Sequence, residues 1–173
     1  KSNNIKPILG VEIDFRNENN IGQNKIIFLS KDNHGYKSLM HIVSIANLKD
    51  GKHPHITVND LIDNFDDNSG LVIILPIFDN EISDFLIKKE FDKAKDYINK
   101  FGNIFENTNI YIELSKHSYL EKTDILIKNT IDFVKNILKE ESRLIISQNS
   151  HYVNEDDKSA QKILFNINND IND

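Results

Sequence analysis

An α/β fold of alternating strands and helices is what this sequence predicts, and three observations carry the prediction. Short apolar runs rich in β-branched residues, at 25–30, 71–75, 109–115 and 143–146, have the length of strands rather than helices. Between them lie segments with apolar residues at helical spacing, of which 123–139 is the strongest. The third is the order within the last unit. Arg143-Leu144-Ile145-Ile146 reads as a buried strand, turns polar at Ser147-Gln148-Asn149, carries His151 just past its end, and passes into a helix with Asn154 as N-cap and Asp157 at N3. Strands alternating with helices imply βαβ units and a largely parallel sheet. In such sheets ligands gather at the carboxyl ends of the strands.

Bulk properties bound the class. The 173 residues suit one domain, 1–173, and are enough to bury a core. With 39% hydrophobic and 28% charged residues the chain reads as globular. A net charge of −6 argues against a nucleic-acid-gripping surface in this segment itself, since such surfaces are usually basic. The absence of cysteine excludes disulfides and thiolate metal sites and suits a reducing compartment. No apolar stretch approaches membrane-spanning length, and the start has no signal-peptide pattern. The chain opens on Lys1 and enters a strand almost at once, which reads as a fragment with part of its fold missing.

The elements follow in order. Residues 7–15 form a strand with Leu9, Val11, Ile13 and Phe15 on one face and Ile8, Gly10, Glu12 and Asp14 on the other. A polar turn spans 17–24, and a strand at 25–30 completes a hairpin. Leu39, Met40, Val43, Ala46 and Leu48 set helical spacing. Residues 49–56 are irregular and include His53-Pro54-His55, where the central proline makes the segment extended and points the rings apart. Thr57 with Asp60 is a capping box opening a short helix. A fully apolar strand at 71–75 precedes a helix from about Glu81 and a second amphipathic stretch through Phe91, Ala94, Ile98 and Phe101, closed by Gly102. In the strand 109–115, Ile110, Ile112 and Leu114 share one face, and Tyr111, Glu113 and Ser115 the other; His117 continues the polar parity. The last helix is expected to bury Ala160, Ile163, Leu164 and Ile167.

Three polar side chains fall at or near predicted strand ends: Glu12, His117 and His151. Imidazole and carboxylate are suitable ligands for Zn²⁺, Mn²⁺ or iron, and a metal that lowers the pKa of a bound water can drive phosphoester hydrolysis. Ordinary solvated strand-end residues explain the same pattern, and at this point both readings stand. His34 and His41 lack a partner at ligand spacing and read as structural or solvated. Asp66-Asp67 reads as a turn and Glu155-Asp156-Asp157 as a helix start, where acidic residues suit the dipole. No Gly-rich phosphate loop, nucleophile elbow or metalloprotease helix motif is present.

Four segments in order resemble the PHP (polymerase and histidinol phosphatase) domain of the bacterial DNA polymerase III alpha subunits. They are Ile5-Lys6-Pro7-Ile8-Leu9-Gly10-Val11-Glu12; Phe28-Leu29-Ser30-Lys31-Asp32 with Gly35-Tyr36-Lys37-Ser38-Leu39-Met40; Tyr111-Ile112-Glu113-Leu114-Ser115-Lys116-His117; and Ser147-Gln148-Asn149-Ser150-His151-Tyr152 with Asn154-Glu155-Asp156-Asp157 behind it. The second is similar to that family's "LAKN…GYxNLM", the third to its "YLELQRH", the fourth to "TNDVHY" followed by "NxED". The resemblance implies a partial PHP-type (β/α) barrel lacking its first strands, with their HxHT and TDH motifs. It implies Glu12, His117 and His151 as remnants of a site for Zn, Mn or Mg. Asn149 stands where metal-binding members have Asp, and Pro76-Ile77-Phe78-Asp79 lacks the cysteine often found near there. An amide cannot supply the charge a carboxylate gives a divalent cation, so the metal site is expected to be eroded.

The implied function is that of a parent polymerase in chromosome replication, with this segment as its N-terminal structural and docking module. Catalytic residues are expected in a later palm domain and none in this chain. The alternative is a metal-dependent PHP phosphoesterase or exonuclease; a pure protein-interaction module is a third reading. Implied partners are the polymerase's other domains and its proofreading exonuclease subunit, with DNA met only through the parent protein and no membrane, in a bacterial cytoplasm. An open barrel edge, with unpaired backbone groups, is expected to rearrange locally or to self-associate.

Overall fold

The computed structural model describes residues 5–17, 20–49, 54–66, 69–78, 80–105, 109–115, 123–139, 143–148 and 152–170. Strands β1 (Gly10–Asn17) and β2 (Asn20–Ser30) form the expected antiparallel hairpin, with Val11 opposite Phe28 and Ile13 opposite Ile26. Its strands are displaced from the expected bounds. β2 begins at Asn20 and takes in most of the polar stretch read as a turn, because β1 supplies backbone partners whatever the side chains are. β1 begins only at Gly10; Pro7 has no N–H to give a ladder.

Helix α1 (Asn33–Leu48) opens on Asp32, whose side chain accepts from Gly35 N at 2.9 Å. That bond, above all, holds the Asp32 carboxyl below its ordinary range. The helix buries Leu39, Ile42 and Ala46, while Met40 and Val43 stay exposed. Strand β3 (His55–Thr57) lies parallel to β1, with Asp14 opposite His55. The sequence reading took this stretch as irregular: three residues with a proline before them carry no strand pattern, and the edge of β1 makes them a strand. Helix α2 (Val58–Asn64) opens with the capping box of Thr57 and Asp60, as the spacing predicts, and Lys49 adds an ion pair to the Asp60 carboxylate.

Strand β4 (Leu71–Pro76) pairs antiparallel with β2. Strand β5 (Ile110–Leu114) lies parallel to β4, and β6 (Leu144–Ile146) parallel to β5. The sheet order is β3-β1-β2-β4-β5-β6, and every strand except β2 runs in one direction. Helices α3 (Ile82–Ile87) and α4 (Phe91–Gly102) follow β4. Helix α5 (Thr123–Phe133) runs into a π-helical turn, Val134–Leu138, that stops at Lys139 with φ 57°. A 3₁₀ turn, Glu155–Asp157, with the expected Asn154–Asp157 capping box, leads into α6 (Lys158–Asp170).

One face of the sheet carries the core. Ile13, Phe15, Ile26, Phe28, Leu71, Ile73, Leu75, Ile110 and Ile112 are buried against Leu39, Ile42, Leu61, Ala94, Ile98 and Phe101 from the helices. Helix α5 joins this layer through Phe133, whose ring meets Phe91 at 5.7 Å, and through Asn129, which donates to Leu86 O at 2.9 Å. Two expectations of burial fail. Ile146, at the end of the edge strand β6, is 85% exposed. The apolar side of α6 also stays exposed, with Leu164 at 63%. An apolar run reports affinity for a partner surface, not whether the described chain provides one.

Candidate functional site

The second face of the sheet carries the polar side chains. Because parity alternates along each strand, register partners point the same way. Glu12 lies in a row with Ile27, Ile74 and Tyr111; Asp14 lies opposite Lys25, and Glu113 opposite Pro76 and Ile145. The hairpin thus puts Glu12, Asp14 and Lys25 on one patch, and β5 adds Glu113 further along.

Lys25 Nζ donates to Glu12 Oε1 at 2.8 Å, with the lysine side chain 36% and the glutamate 51% exposed. Behind the pair, on the core side, the backbone of β2 is tied to the start of α3. Asn80 Nδ2 donates to Lys25 O at 2.8 Å, and Glu81 N donates to Asn24 Oδ1 at 2.6 Å; Asn24 and Asn80 are both buried. Nearby Tyr97 is buried on α4. Burial, and second the Glu81 carboxylate, push its phenol above the ordinary value of 10.0. At the other side of the patch, Ser147 Oγ donates to Glu113, and Ser147 N donates to Leu114 O at 3.0 Å. These bonds clip the carboxyl ends of β5 and β6 together.

Of the three residues singled out in the sequence, the structure describes Glu12; His117 and His151 lie outside the described residues, as does Asn149. Glu12 is not at the carboxyl end of its strand, as expected, but third of eight, since β1 runs on to Asn17. Lys25 and Glu113 were missed as site residues. The parity Glu113, Ser115, His117 was a signal for Glu113. Lys25 had only the hairpin register, which the turn assignment blurred. His34 and His41 line a cleft of about 530 Å³ with Lys37, Asp63 and Asp66, and His41 packs on Phe65 at 5.4 Å. That cleft lies where β2 ends and β4 begins, away from the ends that lead to His117 and His151.

The described donors do not fit a divalent cation. Among the described residues no group of three or more His, Asp or Glu side chains could hold a metal ion. Glu12 already has a cation, and its row mates Ile27 and Ile74 are apolar. Glu113 stands three strands away, roughly 14 Å along the sheet at about 4.8 Å per strand. As a fold-stabilising contact the exposed ion pair is worth about 0–1 kcal/mol. As an obstacle it is larger. A divalent ion on the same carboxylate would stand about 5 Å from the ammonium, where charges of +2 and +1 repel by roughly 2–7 kcal/mol between water-like and surface-like screening.

A mixed sheet of five co-directional strands and one opposed, with helices on one face and carboxylates on the other, defines a barrel-type α/β module. The PHP domain model matches residues 1–117, and the chain belongs to the PHP domain family; its sheet is that of a partial PHP (β/α) barrel. Among curated proteins it is similar to the DNA polymerase III subunit alpha of Aquifex aeolicus (strain VF5), 28% identical over 180 residues, covering 95% of this chain and 15% of that protein. It is also similar to the subunit of that name from Borreliella burgdorferi, 28% over 174 residues, with 95% and 14% covered. The Helicobacter pylori (strain 26695) protein is 24% identical over 180 residues, with 94% and 14% covered. The chain thus spans about one seventh of the length of these relatives.

Proposed function

We propose that this chain is the PHP segment of a bacterial replicative DNA polymerase of the DNA polymerase III alpha type, and that it serves that enzyme as a structural and docking module. The observation that carries this reading is coverage: relatives of that one name align with 94–95% of the chain. In this reading residues 1–173 are one domain, the middle and carboxyl-terminal part of a PHP domain, without palm, fingers or thumb. The partners are the polymerase's other domains and its proofreading exonuclease subunit, with DNA reached through the parent protein, in the bacterial cytoplasm. Among the described residues no helix is long and apolar enough to cross a membrane.

Glu12, His117 and His151 are, in this reading, remnants of a site for Zn, Mn or Mg. The second reading is a metal-dependent phosphoesterase of the PHP family, which family membership favours. There the same three residues would hold a divalent cation that activates water toward a phosphodiester; the Lys25–Glu12 pair counts against it. The test is primer extension with the isolated chain and co-purification with the exonuclease subunit of the same bacterium. No nucleotide incorporation together with co-elution is expected. Incorporation by the chain alone, or hydrolysis of a model phosphodiester that depends on added Mn²⁺ and on His151, overturns the reading.

A further inference from the structure

We propose that Lys25 is the resident cation of Glu12: its ammonium holds the place on that carboxylate which a divalent ion would need, so that the carboxylate serves an internal ion pair instead of a metal. The inference rests on membership in the PHP family and on the hairpin geometry, not on the polymerase reading.

Four observations carry it. The ammonium is on the carboxylate, with Nζ 2.8 Å from Oε1. The hairpin register puts it there, since Glu12 faces Ile27 and Asp14 faces Lys25, making Lys25 the diagonal neighbour of Glu12 on the same sheet face. The lysine backbone is fixed from the opposite face, where Asn80, only 6% exposed, donates to its carbonyl and α3 starts on Asn24. Finally, the ammonium is placed to serve both carboxylates of the patch, and His55 on β3 lies in register with Asp14 rather than with Glu12. Lys25 lies between two β1 carboxylates, its register partner Asp14 and the bonded, diagonal Glu12, while the next two residues in the row of Glu12, Ile27 and Ile74, are apolar and the first polar group, Tyr111, stands on β5. A divalent cation must therefore displace a tethered charge, and finds no donor in the adjacent strands of that row.

The test uses Mn²⁺ alone as probe, with calorimetric titration and the Mn²⁺-induced shift in melting temperature as readouts. Wild-type protein and Glu12→Gln are expected to respond to Mn²⁺ alike. Lys25→Met is expected to bind Mn²⁺ about tenfold or more tightly than wild type, by loss of the charge repulsion. The double variant Lys25→Met with Glu12→Gln should lose that gain. One equivalent of Mn²⁺ bound by wild type and abolished by Glu12→Gln would overturn the proposal, and so would a Lys25→Met protein that binds no better than wild type. Should Lys25→Met fail to fold, Lys25→Gln removes the charge while keeping a polar chain, and the same two outcomes decide. Neither result bears on nucleotide incorporation, so the polymerase reading stands or falls separately.

Discussion

Gly35, in the first turn of α1, lies backbone to backbone against Gly70, the residue before β4. A Cβ on Gly35 would stand 2.0 Å from the Gly70 carbonyl oxygen and 3.2 Å from Ser30 Cα. Gly70 itself has φ +68°, and a Cβ there would meet Gly35 N at 2.6 Å and Asp32 Oδ1 at 2.8 Å. Around this contact Lys31 N donates to Gly70 O at 3.0 Å, and Ser38 Oγ to Ser69 O at 2.7 Å. Together they fasten α1 to the start of β4. Gly35→Ala should therefore cost about 2–3 kcal/mol, since the clash is with backbone and cannot be relieved by a side-chain turn. Urea unfolding measures it; a loss below about 0.5 kcal/mol would show that the approach is looser than described.

Thr57→Ala is expected to cost about 1 kcal/mol by deleting the N-cap of α2. The pH dependence is sharper at Asp60. Burial acts to raise its pKa, but the hydrogen bonds from Lys49 and Thr57 outweigh it and hold the carboxyl below 3.8. A carboxylate depressed in the folded state stabilises above its unfolded pKa and loses that contribution as pH falls through the folded value. Wild type should thus lose stability below about pH 4, and Asp60→Asn should lose less over that range while being weaker at neutral pH. Denaturation midpoints at several pH values test this; parallel curves for the two proteins would rule out Asp60 as a contributor.

Tyr97 separates ring from hydroxyl. Its ring packs on Phe101 at 5.5 Å and Phe85 at 6.4 Å, but its buried hydroxyl makes no hydrogen bond of good geometry, with only the Asn80 side chain acting weakly on it. Tyr97→Phe should leave stability unchanged or raise it by up to about 1 kcal/mol, because an unsatisfied buried hydroxyl is a cost. Tyr97→Ala should lose about 3–5 kcal/mol through the cavity. The phenol's raised pKa adds a sign: above pH 10 the unfolded chain ionises first, so alkaline stability falls in wild type more than in Tyr97→Phe. A marked loss in Tyr97→Phe would mean that the hydroxyl has a partner, such as an internal water.

Exposed apolar residues make the complementary case. Ile146→Thr and Phe165→Ser, at 85% and 59% exposure, should change stability by less than about 0.5 kcal/mol in the isolated chain. Phe28→Ala, at 0% exposure, should cost about 3–5 kcal/mol. If either surface change costs as much as a core change, that surface is already covered in solution, and sedimentation at several concentrations would show the self-association expected of an open strand edge.

Much of the fold was readable because it is written in short-range chemistry. The capping boxes at Thr57–Asp60 and Asn154–Asp157 span three residues each, and both stand as the spacing predicts. Alternation in β1 and β5 sorted Ile13, Phe15, Ile110 and Ile112 onto the buried face. The candidate site was less readable. Glu12 was singled out, but its position within β1 and its bonded partner depend on where the hairpin turns, and the polar residues 17–24 concealed that most of them extend β2.

Side-chain type, periodicity and local hydrogen bonding between near neighbours thus determined the class of fold, the order of most elements and the polar face of the sheet. They act within a few residues and need no partner. Contacts between distant segments decided the rest. β3 is a strand because β1 presents an edge to it, and Ile146 of β6 and the apolar side of α6 are exposed because the described chain places nothing over them, while Leu144 packs against the core. Lys25 meets Glu12 because backbone pairing sets a register across thirteen positions. Register is a property of two strands together, and a one-residue slip would send Lys25 to the other face.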